Sequence, residues 1–120
     1  MRDTTGRTTT MTRVDIDQLA WVPVDVCPGV HVKQLGEEDG CVASLIAYQP
    51  GATTPGLPHL AAQHHIWVIS GRGLVADHWL HAGGYAHVPE NSAHPILAGP
   101  SGCLLLQLHI PNLARHTATA

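Results

Sequence analysis

Three histidines of this chain have the type and spacing needed to bind one metal ion. His59, His64 and His94 all lie in the segment from Gly51 to His94. Imidazole nitrogen binds zinc, iron, copper and nickel, and three such ligands leave coordination positions open for water, oxygen or a substrate. Neutral imidazoles also leave the bound ion its full charge, which can polarise a substrate oxygen. The sequence therefore predicts one divalent metal per chain, with zinc or iron favoured over nickel, manganese and copper.

The elements that must position these histidines are predicted to be β-strands. Short runs of Val, Ile, Leu, Trp and Tyr alternate with Gly and Pro, a rhythm typical of a sandwich or barrel. One helical turn is predicted over residues 15–20, and Gly71-Arg72-Gly73 is interpreted as a hairpin turn. Strands are predicted near 20–23, 29–35, 41–49, 64–70, 73–79, 85–88, 94–97 and 102–110.

Length and composition predict a single domain in the cytoplasm. The 120 residues suffice for one modest core, which we place at 14–112 between a flexible N-terminal segment (1–13) and a flexible tail (113–120). Three cysteines without a C-x-x-C pair are interpreted as reduced core thiols. We find neither a membrane-spanning apolar run nor the apolar core of a signal peptide.

The charge of the chain limits the classes of binding partner that are expected. The formal net charge is −3, with only six lysines and arginines and no basic run. This disfavours nucleic acid and an anionic membrane as partners. A small hydrophobic or aromatic substrate is expected instead, and the predicted strand 29–35 could form a sheet edge through which two copies make a homodimer.

Two motifs give the chain a resemblance to the cupin superfamily. Cupins carry G-x5-H-x-H-x4-E-x6-G and G-x5-P-x-G-x2-H-x3-N, and every spacing of both is kept here. The resemblance implies an all-β, single-domain cupin β-barrel, a jelly-roll-like double-stranded β-helix with a metal at its mouth. The first motif falls on Gly51, Leu57, His59, His64 and Gly71, and the second on Gly83, Pro89, Asn91, His94 and Ala98.

The chain differs from these motifs at positions where cupins have metal ligands. Leu57 stands where the family has its first histidine ligand, and His64 replaces the glutamate. The resemblance therefore implies a metal role for His59 and His94, whereas the chemistry of imidazole assigns one to His64. Asn91 replaces a glycine but tolerates the left-handed conformation that a turn there requires.

Strand alternation predicts which neighbours of these histidines share the cavity. If His64 points inward, so do Ile66 and Val68, whereas His65 and Trp67 point outward. The resulting cavity is apolar and suits a hydrophobic substrate. The histidines outside the motifs are predicted to be surface or loop residues, namely His31, His78, His81, His87, His109 and His116.

Three residues are candidates for moving protons. Lys33 is a candidate acid or substrate clamp facing the cavity, and Tyr48 is a candidate proton donor. His59 is the candidate acid–base group of a reaction without metal. Gln107 could reach the cavity as an orienting amide.

The resemblance implies several functions. Small cupins include polyketide cyclases of secondary metabolism, dehydratases, isomerases and lyases, as well as three-histidine iron dioxygenases. The favoured hypothesis is a metal-dependent, non-redox cyclisation, dehydration or isomerisation of a hydrophobic polyketide-like substrate. The alternatives are an Fe(II) dioxygenase that cleaves a diketone or aromatic compound, a metal-free dehydratase, and a ligand-binding or sensing cupin. The last follows from a likeness of PGVHVKQL and PGATTPGLPH to the cupin domains of zinc-dependent anti-sigma factors.

Overall fold

The computed structural model of the protein describes residues 11–56 and 62–112. Within these ranges the chain forms eight strands and one short 3-10 helix, Ile16–Gln18. The strands are β1 (Val22–Pro23), β2 (Val30–Glu38), β3 (Cys41–Tyr48), β4 (Thr53–Thr54), β5 (Ala62–Val75), β6 (His78–His81), β7 (Tyr85–Val88) and β8 (Ile96–Pro111).

The strands belong to one antiparallel sheet with the order β1-β2-β3-β8-β5-β6. Strand β4 pairs with β8, and β7 pairs with β5. The long strands β5 and β8 form the centre, with a ladder that runs from Ala62 opposite Pro111 to Val75 opposite Ile96. Strand β2 was predicted to be an edge, but β1 pairs with part of it on the side away from β3.

The predicted strands are largely confirmed, and the differences concern their boundaries. Strands predicted at 64–70 and 73–79 form one long strand, β5, followed by β6 after a turn at Ala76 and Asp77. The predicted hairpin turn at Gly71-Arg72-Gly73 is wrong, because these residues lie within β5. The pairing with β8 shifts register there instead, which bends the strand without ending it. The short strand β4 was not predicted.

This bend involves two glycines in adjacent strands, Gly71 in β5 and Gly102 in β8, where Gly71 is opposite Cys103, the residue after Gly102. Gly71 and Gly102 have φ values of 71° and 79°, in the left-handed region. A Cβ atom on Gly71 would overlap the carbonyl oxygen of Gly102. The β5 and β8 backbones therefore approach closely only because Gly71 has no side chain. A Cβ atom on Gly102 would instead meet the carbonyl oxygen of Tyr48 in β3.

The core lies on one face of the sheet, which we call the inner face. Along β5, residues Ala62, His64, Ile66 and Val68 are buried, whereas the residues between them are partly or fully exposed. This confirms the predicted alternation at β5. The other inner-face members of the core include Val30, Tyr48, Val88, Ile96, Cys103 and Leu105.

Among the described residues the three cysteines are free thiols, as predicted, but the predicted core position is wrong for Cys41, which is partly exposed at the start of β3. Cys27 and Cys103 are buried in the core, and burial raises the pKa of the Cys103 thiol, which therefore stays protonated at neutral pH. Within residues 11–56 and 62–112, no helix is long and apolar enough to cross a membrane.

We expect Gly71→Ala to lower the free energy of unfolding by about 2–4 kcal/mol, because alanine meets both a left-handed φ and a backbone overlap. Urea denaturation followed by circular dichroism measures this change. Gly36→Ala is the control, since a Cβ atom there has no neighbour within 4 Å, and it should change stability by less than about 1 kcal/mol. Equal stabilities of the two variants would contradict the close approach of the strands.

Candidate metal centre

His64 is the central residue of the candidate site. It lies on the inner face of β5 with only 3% of its surface exposed. The β5–β8 ladder places it directly opposite His109, and the β5–β7 ladder places it opposite Val88. Residues directly opposite each other in an antiparallel pair share a face, so the two imidazoles meet on the inner side of the sheet.

His94 reaches the same place from the segment that joins β7 to β8. This segment starts after Val88, the partner of His64, so it leaves the sheet beside the site. Asn91 in the segment has a φ of 65°, which confirms the predicted left-handed turn. The turn returns the chain to the inner face, where the His94 side chain is 7% exposed.

The three imidazoles form one hydrogen-bonded chain. His64 Nδ1 lies 3.0 Å from His94 Nε2, and His64 Nε2 lies 2.9 Å from His109 Nδ1. A neutral imidazole has one donor and one acceptor nitrogen, so a neutral His64 donates to one neighbour and accepts from the other. A change of its tautomer reverses both bonds, which allows the chain to relay a proton.

The three imidazoles could bind one divalent metal ion if the ring of His64 rotated. Two nitrogens on one tetrahedral zinc lie about 3.3 Å apart, given Zn–N distances of about 2.0–2.1 Å, and the two observed separations are close to this value. His64, however, presents a different nitrogen to each neighbour. The described residues accordingly contain no group of three side chains arranged as ligands of one ion. Rotation of the His64 imidazole would be needed for all three rings to share a metal.

His109 is the residue that sequence reasoning missed. It was predicted to be a surface or loop residue, but it lies on β8, half-buried, in contact with His64. Its position outside both motifs gave no indication of this role. The signal that could have found it is the β5–β8 register, because His109 is opposite His64 only in that pairing.

His59 and Leu57 lie outside the described residues, as does His116. The predicted ligand His59 therefore has no described position relative to His64 and His94. Of the other histidines predicted to be surface residues, His78, His81 and His87 are exposed and His31 is half-buried.

Lys33 lies on the opposite, outer face of the sheet. It pairs with Leu45, whereas the adjacent pair of Val32 and Ile46 lies on the inner face. The side chain is nevertheless only 7% exposed, because Ile16 and Trp21, which precede β2 in the chain, lie against it. Its Nζ donates a hydrogen bond of 2.8 Å to the carbonyl oxygen of Ile16 and lies 4.7 Å from the centre of the Trp21 ring. The structure thus does not bring Lys33 to the imidazoles.

The sequence of this chain matches a known protein family. A family profile described as the ChrR cupin-like domain matches residues 8–112. The chain belongs to that family. A search of curated proteins found no significant match.

Solved cupin structures share the fold of this ChrR-like cupin. The polyketide cyclase RemF from Streptomyces resistomycificus is 20% identical with a TM-score of 0.70, over 86% of this chain and 80% of RemF. A putative acetylacetone dioxygenase from Methylibium petroleiphilum PM1 is 16% identical with a TM-score of 0.75, over 87% and 77%. The complex of Rhodobacter sphaeroides SigE with the anti-sigma ChrR contains a chain that is 18% identical with a TM-score of 0.68, over 78% of this chain and 51% of that one. At these identities the likeness shows the fold alone.

Tyr48 lies on the inner face of this cupin but far from the imidazoles. It is six residues along β3 from Val42, the residue opposite His109, a strand distance of about 20 Å. Its hydroxyl lies 3.0 Å from Thr54 Oγ1 within the core. Burial raises the pKa of Tyr48 to about 12. The structure thus places Tyr48 in the packed end of the fold.

This raised pKa predicts a loss of stability at alkaline pH. The phenol is protonated in both states below its unfolded pKa of about 10, and between pH 10 and about 12 the unfolded chain loses the proton first. We therefore expect the free energy of unfolding to fall over this range by up to about 2–3 kcal/mol through Tyr48. Urea denaturation between pH 8 and 12 measures the slope.

Tyr48→Phe should remove this part of the slope, at a cost of about 1 kcal/mol at neutral pH for the lost hydrogen bond. Tyr85→Phe is the control, because the Tyr85 side chain is exposed on the outer face. An unchanged alkaline slope in Tyr48→Phe would contradict the buried, neutral phenol.

Proposed function

We propose that this cupin is a metal-dependent enzyme that promotes a non-redox cyclisation or dehydration of a small, hydrophobic, polyketide-like ketone. The observation that carries the proposal is the buried His64, held between two imidazoles at one end of an inner face that is largely apolar. Such a site combines few polar groups with apolar walls, as small-molecule sites do.

The proposed metal ligands are His64 and His94, completed by His59 or His109. Neutral histidine is a suitable ligand for both zinc and iron. A divalent ion bound there would polarise a ketone oxygen and stabilise the negative charge that develops when the neighbouring carbon loses a proton.

The chain's own residues contribute binding and proton transfer. Ile66, Val68 and Leu105 lie next along the inner face and exclude water from a bound substrate. His109 is the most exposed of the three imidazoles. Where His59 completes the metal site, His109 is the proposed group that takes up the proton of a bound ketone. Its hydrogen bond to His64 connects that proton to the buried imidazole.

The solved structures support a ketone substrate without deciding the reaction. One protein of this fold is described as a polyketide cyclase and another as a putative acetylacetone dioxygenase. Both descriptions involve ketones with oxygens on alternate carbons. A dioxygenase reaction is therefore the alternative enzyme function, and it requires iron and oxygen.

The family match favours a second candidate function. ChrR is described as an anti-sigma protein, and its cupin domain gives the family its description. This cupin could thus bind a metal or small ligand without converting it. Metal binding without turnover of any ketone would favour that function.

We expect the protein, prepared without a metal-affinity tag, to bind about one zinc or iron ion per chain, and His64→Ala and His94→Ala to weaken the affinity about 100-fold or more, because each removes a ligand. Elemental analysis and calorimetric titration with zinc measure this. His59→Ala and His109→Ala identify the third ligand as the variant that loses affinity to the same degree.

His78→Ala and His81→Ala are matched controls, because both side chains are exposed on β6. They should keep the affinity of the parent protein. No saturable binding by the parent, or equal binding by His64→Ala, would contradict a metal site at His64.

The zinc-loaded protein is expected to convert diacetylacetone to orcinol and water. The terminal methyl carbon loses a proton and attacks the far ketone, water leaves, and the ring becomes aromatic, so no oxidant is consumed. Liquid chromatography measures orcinol, and an oxygen electrode measures oxygen use. Oxygen consumption by an iron-loaded protein, with cleavage of the ketone, would instead establish the dioxygenase reaction.

A further inference from the structure

The inner face has an ordered set of residue rows below the imidazoles. The β3–β8–β5–β7 register gives a first row of Val42, His109, His64 and Val88, and a second row of Ser44, Gln107, Ile66 and Ala86. The third row contains Ile46, Leu105 and Val68.

The second row places two polar side chains next to the site. Ser44 and Gln107 are directly opposite each other and share the inner face with Ile66, whose side chain has no exposed surface. Gln107 is also two residues from His109 along β8. An amide and a hydroxyl therefore lie one row from the imidazoles, on a face that is otherwise apolar.

The exposure of the inner-face side chains of β8 decreases from the imidazole row to the core. His109 in the first row and Gln107 in the second are both partly exposed, whereas Leu105 in the third row is fully buried. Gln107 thus keeps some accessible surface, whereas Ile66 in the same row and Leu105 in the next row have none. A ligand entering beside His109 would meet the Gln107 amide before it met the apolar core.

The polar atoms of this row are available for a ligand. Among the described residues, no hydrogen bond engages the side chain of Ser44 or of Gln107. Ser44 is nevertheless only 9% exposed. Its hydroxyl oxygen keeps some accessible surface, because it is not among the fully buried side-chain atoms that lack a partner. A ligand oxygen could therefore reach this hydroxyl and replace water as its hydrogen-bond partner.

We propose that Ser44 and Gln107 form a subsite for a second substrate oxygen, with Gln107 as its main hydrogen-bond donor. The proposal rests on the proposed function, because the first oxygen is held at the imidazole row. Successive rows are about 7 Å apart along a strand. The preferred substrate therefore carries two oxygens separated by about 5–7 Å, a spacing that a triketone provides and a simple diketone does not.

Two probe ketones test the subsite. We expect the zinc-loaded parent protein to bind diacetylacetone about ten-fold more tightly than acetylacetone, because the longer ketone alone reaches Gln107. Gln107→Leu should make the two affinities equal, and Ser44→Ala should reduce the difference in part. Calorimetric titration measures each affinity, and zinc binding by each variant is measured in parallel.

Gln107→Glu separates a subsite from a packing role. It keeps the size of the side chain but replaces the donor with a negative charge, so binding of diacetylacetone should fall by about ten-fold or more while binding of acetylacetone and zinc is kept. Gln63→Leu is the matched control, because Gln63 lies on the outer face and its Oε1 contacts His87. It should retain the preference of the parent for the triketone.

The outcomes distinguish the subsite from the proposed function. Zinc and acetylacetone binding without a preference for diacetylacetone, or a preference that survives in Gln107→Leu, would overturn the subsite alone. A parent protein that binds zinc but neither ketone would overturn both the subsite and the ketone substrate. A preference lost in Gln107→Leu and Gln107→Glu, with zinc binding unchanged, establishes the subsite.

Discussion

The pairing of β5 with β8 is the constraint on which the rest of the structure depends. Of the other six strands among the described residues, four pair directly with one of these two: β3 and β4 pair with β8, and β6 and β7 pair with β5. The same ladder buries Ile66 and Leu105 and brings His64 opposite His109. Stability and the candidate site therefore share one set of backbone hydrogen bonds. The glycines at the bend keep this ladder continuous where two bulky residues would have ended it.

The inner face is polar at the imidazole end and becomes apolar toward the core. The buried histidines at the polar end are tolerated because they bind one another. Imidazole is costly to bury without partners, but here each described ring nitrogen of His64 is hydrogen-bonded to another imidazole. Beyond the polar rows the face becomes apolar, and Tyr48 keeps a neutral phenol at its far end. The candidate site thus lies at one end of the inner face, while the other end is packed core.

Much of the fold was predictable from local signals. The Gly and Pro rhythm and the period-two burial of β5 require only neighbouring residues, and the motif spacing located His64 and His94. The meeting of His109 with His64 depends on register between strands separated by more than forty residues, which no local pattern specifies. Lys33 illustrates a second limit. Its burial depends on Ile16 and Trp21, which lie more than ten residues earlier in the chain and pack against the outer face. The catalytic assignment of His59 stays a prediction.

Cross-strand pairing also has a consequence for how such sites can change during evolution. Two positions directly opposite each other in a ladder occupy nearly the same place in space, although the chain separates them widely. A ligand lost from one strand can therefore be regained on its neighbour without any movement of the backbone. His109 stands outside the motif that Leu57 interrupts, yet it brings an imidazole to His64. A motif search that reads the sequence alone finds no histidine at position 57, whereas the β5–β8 ladder supplies an imidazole beside His64 from outside the motif.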